Sequence, residues 1–269
     1  MNDKARIELA PEQVTLLIPL YAKAQEGNPL FFDPRARDIL HAVDYDFTRL
    51  RVPYKTVVLI CQRTRKLDAA ARDFLVEHPN GVILHLGCGL DSRYWRVDNG
   101  LVDWYDLDMP PVVELRQRFF AGGERYHLMA SSVTELGWVE RVAADARPVL
   151  AVAEGLLMYL SEADFRRLVL RLREAFPGCR VIADVFSRLA ARSATRHPSL
   201  RHTGASIGWG IDDPRELEAW APGIRLLEEW YFTQDPSLDR LSLGYRLAYR
   251  MAGAFTAVRR AHRIVYYQL

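Results

Sequence analysis

A chain of 269 residues that is 49% hydrophobic is long enough for one large domain or two small ones and has the apolar content to bury a core, which excludes a disordered protein. Its net charge is only +2, and the 36 basic residues, 32 of them Arg, are interleaved with Asp and Glu along the chain, so a nucleic-acid footprint is excluded as well. The three cysteines, Cys61, Cys88 and Cys179, are odd in number and far apart; neither a disulfide framework nor a metal site is expected, and a reducing, cytoplasmic setting fits.

The first residues carry Asp3, Lys4, Arg6 and Glu8 before a short apolar run broken by Pro19. That is the pattern of neither a signal peptide nor a spanning helix, and no membrane partner is expected. Apolar spacing predicts helices over 11–25 and 55–77, a helical lead-in occupying 1–80. From Gly81 the texture changes to short apolar strands over 82–86, 102–107, 125–129, 148–153 and 180–186, alternating with helices over 111–120, 135–143 and 161–176, the last capped by Ser161. Alternation of this kind predicts an α/β fold, a doubly wound, mainly parallel sheet with right-handed crossovers. The core thus runs over 81–186. An Arg-, His- and Ser-rich stretch follows, with a short helix over 214–220, and 187–222 reads as an inserted cap over an acceptor site. Strands over 225–232 and 262–269, with a helical segment over 243–260 between them, complete the sheet as an antiparallel pair at one edge. The whole is read as one domain.

Ligands of open α/β sheets sit beyond the C-terminal strand ends, where the chain must turn tightly. Gly87 and Gly89, around Cys88, supply such a turn after the first strand. Ser92 stands where a dinucleotide fingerprint has its third small residue, which disfavours a pyrophosphate and hence a nicotinamide cofactor. About 20 residues on, at the distance where a carboxylate meets ribose hydroxyls, comes Asp108, followed by Met109. The competing reading of Asp108 is a cap for the helix at Pro110, and Asp106 is the fallback. Glu154 ends the fourth strand and, if buried, needs a cation, either a ligand's or an Arg.

In this order the blocks Arg63-Thr64-Arg65 with Asp68, Leu86-Gly87-Cys88-Gly89-Leu90-Asp91-Ser92-Arg93, Trp104-Tyr105-Asp106-Leu107-Asp108-Met109-Pro110, Ser131-Ser132-Val133 and Ala153-Glu154-Gly155-Leu156-Leu157-Met158-Tyr159-Leu160 resemble the leucine carboxyl methyltransferase family, including its tetracenomycin-type polyketide O-methyltransferases. The resemblance implies a class I S-adenosylmethionine-dependent methyltransferase with a seven-stranded Rossmann-like sheet. It further implies that Arg63, with Lys23, holds the methionyl carboxylate above Gly87, that Asp108 binds the ribose, that Ser132 and Val133 flank the adenine, and that Glu154 lies near the amino-acid end.

Methyl transfer from a sulfonium is an in-line displacement that needs alignment and exclusion of water more than side-chain chemistry. A carboxylate acceptor is ionised already and needs no base; a phenol would need one. His197 and His202 are the candidates for that, His85 is read as a packed core residue, and no catalytic base is assigned. Tyr21, Tyr159 and Trp209 are candidates for an acceptor pocket, with Arg188 or Arg201 to pair with an acidic acceptor. The expected activity is O-methylation of a carboxyl or hydroxyl of a small molecule such as a secondary metabolite. The alternatives are a nicotinamide-dependent oxidoreductase and a non-catalytic S-adenosylmethionine-binding protein.

Overall fold

The computed structural model describes residues 14–194 and 209–269; His197, Arg201 and His202 lie outside them. Five apolar runs bounded by Gly, Pro or Asp form the parallel strands β1 (Val82–Leu86), β2 (Asp103–Asp108), β3 (Tyr126–Ala130), β4 (Val149–Ala153) and β5 (Arg180–Phe186). With β6 (Arg225–Tyr231) and β7 (His262–Gln268) they make one seven-stranded sheet in the order β3-β2-β1-β4-β5-β7-β6.

Alternate residues of β1 serve opposite layers, because successive strand side chains point to opposite faces. Val82, Leu84 and Leu86 pack with Phe165, Leu168 and Leu172 of helix α6 (Glu162–Ala175). Ile83 packs on the other face with Leu17 of α1 (Val14–Lys23), Ile39 of α2 (Pro34–Ala42), and Leu67 and Phe74 of α3 (Tyr54–Glu77). Both faces are covered, which is why the central strands read as continuous apolar runs. Leu86 stands level with Leu107 and Ala153 across the sheet, so the residues that follow β1, β2 and β4 emerge side by side. Between β1 and β4 the strand order reverses direction, and there the crevice for a ligand opens.

The late strands form the expected antiparallel pair at one edge of the sheet, β7 against β5 and β6 outermost, with Ile264, Val265 and Tyr267 buried. Three other elements differ from the expectation. The helix expected over 135–143 is a 3-10 segment, Leu136–Arg141, with Gly137 inside it disfavouring the longer helix. That expected over 214–220 is a 3-10 turn, Pro214–Ala219, with an Asp213–Glu216 capping box. The segment over 243–260 is two helices divided at an extended Phe255. The remaining short helices are α4 (Arg93–Val97), α5 (Pro110–Gln117) and α7 (Arg188–Ala194). Ser161 caps α6 by accepting from the Asp164 amide. Among the described residues no helix is long and apolar enough to cross a membrane.

Candidate active site

The turn after β1 is left-handed at Gly87 (φ +64°) and Gly89 (φ +52°), a conformation that costs other residues about 1–2 kcal/mol. It is also crowded. A Cβ on Gly87 would lie 3.0 Å from Leu156, and one on Gly89 would lie 3.2 Å from Leu16 of α1. The Gly87 and Cys88 amides both donate to the Leu107 carbonyl, at 2.8 and 3.1 Å, which ties the turn to the end of β2. Burial pushes the Cys88 thiol well above its ordinary range, so this residue contributes backbone and not a thiolate.

Asp108 closes one side of the turn. Its Oδ2 accepts the Gly89 amide at 2.7 Å and its Oδ1 accepts the Met109 amide at 2.8 Å. No cation pairs with it among the described residues, and each oxygen keeps lone pairs for further donors. Burial raises its carboxyl above the usual range, although the two amides oppose that shift. Exposed Met109, not Asp108, is the N-cap of α5 and makes no side-chain cap bond; Asp108 bonds the Met109 amide ahead of the helix that Pro110 opens, so it is not the helix cap. The Ser131 amide donates to the Asp108 carbonyl at 3.0 Å, which brings the turn of Ser132 and Val133 alongside. Asp106, the fallback, is fully buried, and both its oxygens are engaged by other side chains of the chain.

Glu154 closes the other side and gathers cations from three helices. Lys23 Nζ of α1 and Arg63 Nε of α3 each lie 3.3 Å from Oε1, Thr64 Oγ1 donates at 3.1 Å, and Arg93 of α4 is in close contact with Oε2. Burial opposes ionisation of Glu154, but Lys23, Arg93 and Arg63 outweigh it and hold the carboxyl well below its ordinary value. Lys23 also reaches Asp91 at 3.0 Å. Arg63 Nη1 donates to Asp184 Oδ2 at 2.9 Å, and the guanidinium lies against Gly155, where a Cβ would come within 3.2 Å of it. Its buried Nε has no hydrogen-bond partner among the described residues. Asp184 also accepts the Gly155 amide at 2.6 Å and His262 Nε2 at 2.8 Å; Arg63 and His262 overcome its burial and hold it far below the usual range.

Beneath the rim lies a layer of buried ion pairs. Arg93 Nε donates to Asp68 at 2.7 Å and Nη1 to His85 Nε2 at 3.0 Å. Because ionised Asp106 can only accept, His85 donates to it from Nδ1, at 2.9 Å. Asp106 also accepts from Trp104 Nε1 and Tyr126 at 2.8 and 2.6 Å and contacts Arg116, which donates to the Gly89 carbonyl at 2.9 Å. Arg96 links Asp33, Asp68 and Asp91 at 2.8, 2.7 and 2.9 Å. The glycine turn is thereby held from below, and buried His85 is a link in a polar chain as well as a packed residue.

The cofactor-site candidates Lys23, Arg63, Gly87, Cys88, Gly89, Asp108, Met109, Ser132, Val133 and Glu154 thus meet around one rim. The acceptor-side candidates are less unified. Tyr159 lies on the turn after β4, within the field of Arg63 and Asp184. Tyr21 lies on α1, two residues before Lys23, with its ring stacked on Phe47 at 6.2 Å. Arg188 is engaged by Glu216 at 2.8 Å and Asp212 at 3.7 Å, and Trp209 is buried in the core with its ring 5.2 Å from Phe165. Arg93, Asp91 and Asp184 are rim supports to which the sequence reading assigned no role.

The residues fit the proposed cofactor: a glycine turn at Gly87 and Gly89 that exposes backbone where a Cβ would meet Leu156 or Leu16, a carboxylate with spare acceptors at ribose distance in sequence, and the cations Lys23 and Arg63, held in place by Glu154, Asp91 and Asp184. Strand order and rim together define an S-adenosylmethionine-dependent methyltransferase. The leucine carboxyl methyltransferase model matches residues 17–172. The tetracenomycin polyketide synthesis O-methyltransferase TcmP of Streptomyces glaucescens is 41% identical over 236 residues, covering 86% of this chain and 87% of TcmP. The S-adenosyl-L-methionine-dependent methyltransferase dpfgK of Gibberella zeae is 30% identical over 261 residues, covering 87% and 86%. A DUF574-family crystal structure from Streptomyces avermitilis shares the fold, with a TM-score of 0.57 at 14% identity over 94% of this chain and 96% of that one. The chain belongs to the leucine carboxyl methyltransferase family. None of these matches supports the nicotinamide reading.

Proposed function

We propose that this chain, acting as one domain with 187–222 as its cap, transfers the methyl group of S-adenosylmethionine to an oxygen of a small polyketide-like acceptor, with a carboxylate as the preferred oxygen. The observation that carries the reading is the convergence on one strand-end rim of Asp108, held by two backbone amides, and Arg63, pressed flat on Gly155. Arg63 and Lys23 would hold the methionyl carboxylate, Asp108 the ribose hydroxyls, and the turn of Ser132 and Val133 the adenine. Bound there, the cofactor supplies an electrophilic methyl group. The chain's residues fix the geometry: Asp184 and Glu154 keep Arg63 in place, and the Gly89 and Met109 amides keep Asp108 in place, before ligand arrives, so little reorganisation is needed on binding.

A carboxylate acceptor needs no proton removed, and the names of the family and of TcmP support an oxygen acceptor on a polyketide. One observation favours a hydroxyl instead. His262, at the ligand end of β7, donates from Nε2 to Asp184, which leaves Nδ1 without a proton while the ring is neutral and able to take one from an acceptor hydroxyl. Buried free thiols at Cys61, Cys88 and Cys179 support a reducing, cytoplasmic site of action. Mass spectrometry of extracts incubated with the protein and methyl-labelled S-adenosylmethionine should reveal one labelled small molecule, as a methyl ester for the first reading or a methyl ether for the second. Binding of S-adenosylmethionine with no labelled product would instead mean a non-catalytic binding protein.

A further inference from the structure

Asp184, near the ligand end of β5, is fully buried and accepts from three donors. Its Oδ1 takes the Gly155 amide at 2.6 Å, and its Oδ2 takes both Arg63 Nη1 at 2.9 Å and His262 Nε2 at 2.8 Å. An ionised carboxylate can only accept, so the imidazole is the donor in the last of these. His262 opens β7 and stands opposite Phe186, the last residue of β5, in the antiparallel ladder. Its ring packs against Phe186 and Phe232, with centroids 4.4 and 4.5 Å away, so the imidazole that meets Asp184 is itself restrained by two aromatic contacts. A second tie runs beside the first: Gln62, next to Arg63 on α3, donates to the Phe232 carbonyl at 3.1 Å. The antiparallel end of the sheet thus reaches two adjacent residues of α3.

Building on the reading that Arg63 receives the methionyl carboxylate, we propose that His262 is a positioning residue for the methyl donor: its Nε2–H holds Asp184, and through Asp184 the Arg63 guanidinium, in the receiving orientation. Asp184 is the nearer of the two carboxylates paired with Arg63, since Glu154 lies at 3.3 Å and is shared with Lys23 and Arg93. The buried Arg63 Nε has no hydrogen-bond partner among the described residues, so its orientation depends on the Asp184 bond and on the bare face of Gly155, where a Cβ would come within 3.2 Å. An Oδ2 that accepts from two donors divides its charge between them. Without the imidazole bond, Asp184 turns that charge on Arg63 alone, and a guanidinium drawn to its own carboxylate attracts a ligand's less strongly. The effect is confined to one end of the donor. Asp108, proposed for the ribose, is held by the Gly89 and Met109 amides and shares no partner with His262. The role is the same whichever oxygen accepts the methyl group.

Calorimetric titration of the full chain with S-adenosylhomocysteine and with methylthioadenosine tests this, because the second ligand keeps the nucleoside thioether and lacks the amino-acid end. The wild type should bind S-adenosylhomocysteine more tightly. His262→Leu should weaken S-adenosylhomocysteine at least about 10-fold and leave methylthioadenosine unchanged. His262→Gln, whose side-chain amide keeps an N–H near the place of Nε2, should recover most of the loss. His262→Asn, too short to make the bond, takes the place of His262→Leu should the urea midpoint show that variant to fold poorly. An equal loss for both ligands would assign His262 a merely structural role, undiminished S-adenosylhomocysteine affinity would show that Arg63 is held without it, and a His262→Gln variant as weak as His262→Leu would show that the N–H is not what acts; each overturns the proposal. A wild type that binds the two ligands equally would instead overturn the reading beneath it, that Arg63 holds the carboxylate.

Discussion

Arg63 and Asp108, which would hold the two ends of the proposed ligand, are positioned by different means. Arg63 is positioned by Asp184, Glu154 and the bare face of Gly155; Asp108 is positioned by the Gly89 and Met109 amides. Each offers charge-assisted bonds of about 1.5–3 kcal/mol, so Arg63→Ala and Asp108→Ala should each weaken S-adenosylmethionine binding by about one to two orders of magnitude. Calorimetric titration checks this, and wild-type affinity in either variant removes that residue from the site. Both residues were legible in the sequence because a spacing or a motif block marked them. Asp184 and Asp106 carried a subtler signal: each is a lone acid inside an apolar strand run, and a charge buried there must be paired. Arg93 closes a motif block, but its role was not legible, since an Arg in a five-residue helix looks like any solvated basic residue.

At the scale of elements, strand positions were readable to within a residue or so because each buried strand is an apolar run ended by a turn residue. Helices were readable where apolar residues recur at helical spacing, as in α3, α6 and even the eight-residue α5. Helix α3 has enough turns for its periodicity to show, whereas α2 and α4 are short and polar, and even the Asp33-Pro34 start of α2, where Asp33 caps the Arg35 and Ala36 amides, passed unread. The position of β7 between β5 and β6 is a pairing choice that local pattern does not encode. The glycine turn is the element on which the site depends most. Gly87→Ala should destabilise the fold by about 1–2 kcal/mol from the left-handed backbone alone, with more from the approach to Leu156, and should weaken cofactor binding as the turn shifts. An unchanged urea midpoint would show that the turn relaxes freely.

For the whole molecule, the buried charge layer predicts how it responds to acid. Asp106 is held at about 2 against an ordinary 3.8: its burial opposes ionisation, but Arg116 and His85 outweigh it. Glu154 and Asp184 are depressed in the same sense. Depressed carboxyls contribute stability that is fully present above their unfolded values and is lost as pH falls through their folded ones. The urea midpoint should therefore hold level down to about pH 5 and fall steeply between about pH 4 and 2; a flat profile to pH 3 would contradict this. Asp108 is shifted the other way, so cofactor affinity should decline on acidification before the fold does.

The central claim is that the rim around Gly87 and Gly89 binds a methyl donor and not a dinucleotide. Calorimetric titration of the wild-type chain with S-adenosylmethionine and, separately, with NADH tests it most directly. Saturable binding of S-adenosylmethionine with no heat from NADH is the predicted result; preferential binding of NADH would contradict the account.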